Sequence, residues 1–201
     1  MLMTRFLLIR HATCGLQSEM IAGWMSGVHL DAAGKKQSEE LALRLAPAHL
    51  SAIYSSPLEC AQETAEPIAR LANLEITLRE RLGEVRYGEW TGAKFGELKH
   101  LTARKQFESY RSCVRIPGGE TMVEVQARIV AEMLEIRQRR DETTVGIVSH
   151  GDVIRCAIAH FAGIPIDLSL RLQIDVASIC VIELGEWGPR IVNLNATSKL
   201  F

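Results

Sequence analysis

The sequence predicts a doubly wound α/β fold, and three observations carry that prediction. Strand-like and helix-like segments alternate along the chain, which is the rhythm of βαβ units. The strand-like segments are short and almost continuously apolar, as strands buried on both faces of a parallel sheet are. The chain has 201 residues, 47% of them hydrophobic, and no repeat or linker divides it, so it is long enough to bury one full core.

The first part of the chain supplies two strand-helix pairs. Residues 5–10 (RFLLIR) form the first predicted strand, and Asp31 is a suitable N-cap for a helix over 35–45. Residues 51–55 (SAIYS) form a second short strand. A helix over 57–72 follows it and begins at a proline, which the first turn of a helix accepts.

The last part of the chain repeats this pattern. The strongest helical stripe, with apolar residues every three or four positions, consists of Met122, Val125, Ile129, Met133 and Ile136. A buried strand over 143–149 and a helix over 153–161 follow it. Two final strands are predicted over 176–184 and 190–194, and the first of them is a candidate edge strand for a homodimer.

Composition excludes several function classes. The 23 basic and 24 acidic side chains leave a net charge of −1, which provides no electrostatic footprint for nucleic acid and no basic membrane patch. No apolar run approaches the about 18 residues of a membrane span, nor the pattern of a signal peptide. The five cysteines are scattered and form no CxxC pair, which argues against a disulfide framework or structural zinc and fits a reducing compartment. We therefore expect a cytoplasmic protein that binds neither nucleic acid nor membrane.

Two histidines directly follow predicted strands. His11 follows the first strand and is preceded by Arg10, whereas His150 follows the strand over 143–149 and precedes Gly151. In open α/β sheets, ligands bind beyond the carboxyl ends of the strands. A single histidine in such a place is more often a surface or capping residue, but a pair with an adjacent arginine favours a functional site.

Six sequence blocks lie across residues 5–155. They are Arg10-His11-Ala12-Thr13, Gly23-Trp24 with 30–34, 55–58 with Thr64-Ala65, Leu82-Gly83-Glu84 with Gly88 and 90–92, 117–120, and Ser149-His150-Gly151. In this order they resemble the RHG, GW…L…G, SSPL…TA, LxE…GxWxG, PGGE and SHG motifs of the histidine phosphatase superfamily, the phosphoglycerate mutase-like proteins. The resemblance implies a three-layer α/β/α fold with a mostly parallel central sheet. It further implies a single domain over 1–201 with a short cap at about 93–116.

The resemblance also implies the chemistry of the site. Phosphoryl transfer needs a nucleophile, fixed positive charge for the phosphoryl oxygens and an acid for the leaving oxygen. By resemblance, His11 is the nucleophile that becomes a phosphohistidine, Arg10 clamps the phosphoryl oxygens, and His150 donates a further hydrogen bond. Glu84 matches the family's proton donor, a role for which partial burial should raise its pKa; the alternative is a solvated acid in a charged segment.

Three further positions match the phosphate-binding part of the family. Gln17 stands where relatives often have a polar amide, and Gly23 lies in a loop whose backbone approaches the phosphate in relatives. The alternative for Gly23 is an ordinary turn. Gly151 belongs to the SHG block.

Cys60 is the main departure from the family pattern, because SSPL ordinarily continues into a phosphate-binding arginine. Loss of that guanidinium should cost about 2–4 kcal/mol of transition-state stabilisation, or roughly 100- to 1,000-fold in rate. Three explanations are open: Arg86 or Arg155 fills the vacancy, the phosphatase is weak or specialised, or the protein is a phosphate-binding pseudoenzyme. For Cys60 itself, a packed and inert thiol is a plainer interpretation than a reactive one.

The cap segment favours hydrolysis over mutase activity, because the family's mutases usually carry a larger inserted lid. This segment has six basic residues against Glu97 and Glu108, a balance of +4. They form either a solvated helical face or a basic lid that attracts anionic substrates. The six basic residues are Lys94, Lys99, Arg104, Lys105, Arg111 and Arg115.

A metal hydrolase is the main rival from another class, with His11, His150 and Asp152 as conceivable ligands. The sequence has no HxH, HExxH or carboxylate cluster to support it, and no glycine-rich nucleotide motif follows the first strand. We expect no metal and no cofactor. The expected partner is a small phosphorylated substrate or inorganic phosphate.

Overall fold

The computed structural model describes residues 3–15, 19–98, 100–139 and 143–198. Its six strands form one sheet in the order β3-β2-β4-β1-β5-β6. Neighbours in the β3-β2-β4-β1 part run parallel, whereas β5 pairs antiparallel with both β1 and β6. The strands are β1 (Met3–Arg10), β2 (Ala52–Ser55), β3 (Ile76–Leu78), β4 (Thr144–Ser149), β5 (Ile179–Gly185) and β6 (Gly188–Ala196). The prediction of a mostly parallel α/β fold is confirmed.

Helices cover both faces of the sheet. The α-helices are α1 (Ala32–Leu45), α2 (Glu59–Ala72), α3 (Phe95–Leu98), α4 (Thr102–Ser109), α5 (Met122–Arg139) and α6 (Gly151–Phe161). Short 3₁₀ helices span Ala46–Ala48, Glu80–Leu82, Gly88–Trp90 and Ile166–Arg171. Within the described ranges, no helix has both the length and the apolar character needed to cross a membrane.

The continuous apolar run of β1 follows from its place between two hydrophobic cores. Phe6 and Leu8 pack into the core formed with α5 and α6, whereas Leu7 and Ile9 pack into the core formed with α1 and α2. Successive side chains of a strand point to opposite faces, so both sets must be apolar.

Three details differ from the sequence prediction. Strand β3 was not predicted, because its three residues are mostly exposed and carry little hydrophobic signal. Helix α2 begins at Glu59 with Leu58 as its N-cap, so Pro57 precedes the helix and is not its first residue as predicted. The proposed edge strand is wrong: every residue of β5 is buried, because the chain turns back after Gly185 and β6 covers the edge.

The sheet register places the two candidate histidines side by side. Arg10 at the end of β1 is the register partner of Ser149 at the end of β4. The next residues along the two parallel strands are His11 and His150, and the amide of His11 donates to the carbonyl of Ser149 over 3.0 Å. Both side chains therefore emerge at the same carboxyl edge of the sheet.

Candidate active site

A pocket opens above this edge, and both histidines line it. Their ring centroids lie 5.0 Å apart with the planes tilted by 57°. Both residues are buried, at 5% exposure for His11 and 2% for His150. Glu84, Arg10 and Cys60 line the same pocket, so the structure brings these five sequence-selected residues together.

The surroundings of His11 determine which ring nitrogen carries the proton. Nδ1 lies 2.8 Å from the carbonyl oxygen of Ala12, and a carbonyl can only accept, so Nδ1 is the protonated nitrogen. Burial lowers the pKa of His11 to about 4, and the positive charge of Arg10 acts in the same direction. The ring is neutral near pH 7, with the lone pair on Nε2.

His150 is held by the SSPL block. Its Nε2 lies 2.8 Å from the Ser56 hydroxyl, which already accepts the amide hydrogen of Leu58. The hydroxyl proton can therefore point to Nε2, which leaves Nδ1 protonated, 3.9 Å from an oxygen of Glu84. Burial lowers the pKa of His150 well below its ordinary value, and the neighbouring His11 adds to the effect.

The pKa of Glu84 is shifted upwards, opposite to the pKa values of the two histidines. Burial raises the pKa of its carboxyl to about 7, and the negative charge of Asp152 raises it further. Its Oε1 accepts the amide hydrogen of Val85 at 2.8 Å. Its main-chain carbonyl accepts from the Trp24 indole at 2.6 Å and from Arg128 at 3.0 Å. The tryptophan of the GW block therefore braces the loop that carries the acid.

Arg10 presents an unused donor at the pocket. Its Nη1 donates to the carbonyl of Ile174 at 2.6 Å, whereas its buried Nε has no hydrogen-bond partner among the described residues. Gly151 makes room for it, because a Cβ at this position would lie 3.3 Å from Nε. A buried donor without a partner is costly, so an anionic ligand would satisfy it.

Gly23 lines the pocket and has a φ of +53°, a conformation that favours glycine. Gln17 lies outside the described residues.

Cys60 lies at the second position of α2, is 4% exposed and lines the pocket next to the histidines. The neighbouring thiol of Cys14, a residue that sequence reasoning did not select, raises the pKa of the Cys60 thiol, and burial acts in the same direction. Cys14 lies directly after the Arg10-His11-Ala12-Thr13 block, and nothing in the sequence indicated a role for it.

Neither arginine considered as a replacement for the missing guanidinium lines the pocket. Arg86 stacks 4.0 Å from the ring centroid of Trp24. Arg155 donates to Asp152 at 2.9 Å and to the carbonyl of Leu172 at 2.8 Å. The structure therefore does not support the first of the three explanations for Cys60.

Other motif residues hold the loop that follows β1 and carries His11. The Thr64 hydroxyl accepts the amide hydrogen of Ala12 at 3.0 Å and donates to the carbonyl of Cys60 at 2.7 Å. Gly34 lets α1 approach this loop, because a Cβ there would lie 2.0 Å from the carbonyl oxygen of Thr13. These contacts join three of the motif blocks around His11.

The cap contributes two residues to the pocket, one of which is an arginine already counted among its six basic residues. Arg104 of α4 and Phe95 of α3 line the pocket, as does Tyr87. Arg104 donates through Nε to Glu108 at 2.7 Å. Among the described pocket residues, the two cations are Arg10 and Arg104.

Two basic residues of the cap are paired with carboxylates that lie outside it. Arg111 is 2% exposed and pairs with Asp152 at 3.0 Å, and Arg115 pairs with Glu124. Arg111 therefore belongs neither to a solvated face nor to a basic lid. Burial by itself would raise the pKa of Asp152, but the cations of Arg111 and Arg155 outweigh it and hold that pKa below its ordinary value.

One group of side chains in the described part of the chain has donors close enough to share a metal ion. One donor atom from each of His11, Cys60 and His150 lies within 4.8 Å of the others. Asp152, which the metal-hydrolase hypothesis placed with the two histidines, is not in this group. Its carboxylate forms ion pairs with Arg111 and Arg155.

Comparisons with known proteins agree on one family. The profile of the "Histidine phosphatase superfamily (branch 1)" matches residues 6–197. Phosphoserine phosphatase 1 of Hydrogenobacter thermophilus is 32% identical, over 98% of this chain and 95% of that protein. The structure of YhfR from Bacillus stearothermophilus has a TM-score of 0.91 at 27% identity, with coverage of 98% and 100% of the two chains. Phosphoserine phosphatase from Entamoeba histolytica, solved with 3-phosphoglyceric acid, has a TM-score of 0.87 at 25% identity, with the same coverage.

Proposed function

This chain belongs to branch 1 of the histidine phosphatase superfamily and is a phosphatase of small phosphorylated metabolites; we propose that it hydrolyses phosphomonoesters through a phosphohistidine on His11, without a metal ion. The observation that carries the proposal is the protonation pattern of the site. His11 is neutral with its lone pair on Nε2, and Glu84 has a pKa of about 7 in the same pocket. A nucleophile and a proton donor are thus both in the required form near neutral pH.

In the first step, Nε2 of His11 attacks phosphorus. The bond between Nε2 and phosphorus forms while the bond from phosphorus to the ester oxygen breaks, and Glu84 gives its proton to the leaving oxygen. Arg10 donates to the phosphoryl oxygens through its unpaired Nε, and His150 donates through Nδ1.

In the second step, water attacks the phosphohistidine. Glu84, now ionised, takes a proton from the water as the new oxygen-phosphorus bond forms and the bond to Nε2 breaks. Inorganic phosphate leaves, and both His11 and Glu84 return to their starting forms.

Arg104 supports a substrate that has a second anionic group. It is the cation on the cap side of the pocket, and its side chain is only 19% exposed. Two of the relatives described above are named phosphoserine phosphatase, and the structure of one of them was solved with 3-phosphoglyceric acid. Phosphoserine and 3-phosphoglyceric acid both carry a carboxylate. We propose that this chain acts on a phosphomonoester of the same kind.

The test combines a substrate panel with detection of the intermediate. Phosphoserine, 3-phosphoglycerate and an aryl phosphate are offered in the presence of a strong chelator, and the protein is assayed for an acid-labile phosphohistidine. We expect turnover and label in wild type, and loss of both in His11→Ala. His100→Ala removes an exposed histidine and serves as the matched control, which should retain both.

Turnover that persists in His11→Ala, or that the chelator abolishes in wild type, would contradict this mechanism. Transfer of the phosphoryl group to a second oxygen of the substrate would favour the mutase alternative. Phosphate binding without turnover of any substrate would favour the pseudoenzyme and its explanation through Cys60.

A further inference from the structure

The replacement of arginine by Cys60 changes what the pocket can bind. One donor atom from each of His11, Cys60 and His150 lies within 4.8 Å of the others, and all three residues are buried. With an arginine at position 60, a permanent cation would stand among the histidines. With a cysteine, the same place holds a sulfur ligand.

The donor set matches the preference of zinc. Two imidazole nitrogens and one thiolate are ligands that zinc binds well, and zinc sites with three protein ligands keep a fourth position for water. In tetrahedral zinc sites the donors lie about 3.3–3.6 Å apart, given bond lengths of about 2.0–2.3 Å. The three donors lie within 4.8 Å of one another, so each pair has to approach by at most about 1.5 Å to share one ion.

The surrounding charges allow a divalent cation. Arg10 opposes it from one side of the pocket, but the thiolate that Cys60 forms on binding the ion offsets that repulsion. The Ser56 hydroxyl on His150 can act as donor or acceptor, so it can adapt to whichever ring nitrogen binds the ion.

We propose that His11, Cys60 and His150 bind one Zn²⁺ ion, and that this ion inhibits the enzyme by occupying the nucleophile. The inhibition rests on the proposed function, whereas the binding does not. On binding, Cys60 releases its thiol proton to solvent and forms a sulfur-zinc bond, while the two neutral histidines supply lone pairs and no group is oxidised or reduced. The lone pair of His11 cannot coordinate zinc and attack phosphorus at the same time.

Binding is tested without reference to activity, with Co²⁺ as the spectroscopic substitute for zinc. The protein, kept under a reductant that does not bind metals strongly, is titrated with Co²⁺ and then with Zn²⁺. We expect a thiolate-to-cobalt charge-transfer band that Zn²⁺ abolishes at one equivalent. Cys60→Ser should lose the band and weaken zinc binding by about 100-fold or more, since even loss of an outer partner of a metal ligand costs about 10- to 100-fold.

Cys113→Ser is the matched control, because it removes the exposed thiol, which is the site of adventitious binding to be excluded. We expect the band and the zinc affinity to be unchanged in this variant. A band that disappears in Cys113→Ser but persists in Cys60→Ser would overturn the proposal, and so would the absence of any band in wild type.

Inhibition is measured separately, at buffered free zinc. We expect zinc to raise KM without lowering kcat, and Cys60→Ser and Cys60→Arg to lose this sensitivity. Activation by zinc would overturn the inhibitory role. An active enzyme without the cobalt band would refute the metal site alone, whereas a cobalt band in a protein that hydrolyses no phosphomonoester would refute the proposed function alone.

Discussion

Burial shifts the pKa values of His11 and Glu84, the proposed nucleophile and proton donor, in opposite directions. It lowers the pKa of His11 to about 4 and raises that of Glu84 to about 7, because in each case it disfavours the charged form. The same low-polarity environment therefore produces a neutral base and a neutral acid. The proton-donor role inferred from the resemblance required a raised pKa for Glu84, and its value has that direction.

These two pKa values predict the pH dependence of kcat/KM. His11 must be unprotonated and Glu84 protonated, so activity should rise as pH increases through about 4 and fall as it increases through about 7. For an aryl phosphate with a good leaving group, which needs no proton from Glu84, the fall above pH 7 should disappear. Rate profiles for an alkyl and an aryl phosphate check this, and identical profiles would contradict the role of Glu84.

Cys60→Arg should raise activity, because it restores a charge-assisted donor to the phosphoryl group. We expect kcat/KM to increase by about 100-fold, the lower end of the effect of one such donor. Cys60→Met adds volume without charge and should give no increase. A Cys60→Arg variant that folds normally, as judged by its thermal transition, but turns over more slowly would indicate that the pocket already compensates for the missing cation.

At the level of elements, the pairing of β1 with β4 creates the site and the cap closes it. The two strands are separated by more than 130 residues in sequence but are hydrogen-bonded neighbours in the sheet. The cap helices α3 and α4 contribute to the pocket chiefly through Phe95 and Arg104. The sheet thus positions the two histidines, and the cap adds an aromatic side chain and a cation to the same pocket.

Arg104→Gln tests the role of the cap. For a phosphomonoester that carries a carboxylate, kcat/KM should fall by about 10- to 100-fold, the value of a hydrogen bond between charged groups. For an aryl phosphate without a carboxylate, it should change little. Lys105→Gln removes an exposed cation from the same helix and should behave as wild type with both substrates. An equal loss on both substrates would assign Arg104 a structural role instead.

At the level of the whole molecule, the buried histidines link folding to pH. His11 is neutral in the folded state down to about pH 4, but in the unfolded chain it takes up a proton below its ordinary pKa of about 6.5. Its contribution to stability is therefore fully present above about pH 6.5 and is lost as pH falls towards 4.

His11→Asn should remove this contribution while keeping an N–H group that can donate to Ala12. We expect the melting temperature of this variant to fall less than that of wild type between pH 7 and pH 4.5. The difference corresponds to about one proton taken up on unfolding. Thermal unfolding across this range, with His100→Asn as the control, measures it; parallel curves for wild type and His11→Asn would disprove the linkage.

Much of the fold was predictable from local sequence because burial leaves a periodic signal. The apolar run of β1, the stripe of α5 and the N-cap Asp31, which accepts the amide hydrogen of Gly34 at 2.7 Å, all reflect interactions within one element. Strand β3 left no such signal because it is short and exposed. The position of β5 inside the sheet was missed because strand order depends on pairing between distant segments.

The sequence by itself determined the family resemblance, the parallel α/β architecture and the candidate residues at the strand ends. Each of these can be recognised from the type and spacing of the residues alone. Only the tertiary structure decided that Cys60 joins His11 and His150, that Arg86 and Arg155 are held elsewhere, and that Arg104 reaches the pocket. The physical reason is that charge, burial and ligand geometry depend on which side chains meet in space. Those meetings are set by the packing of segments far apart in the chain.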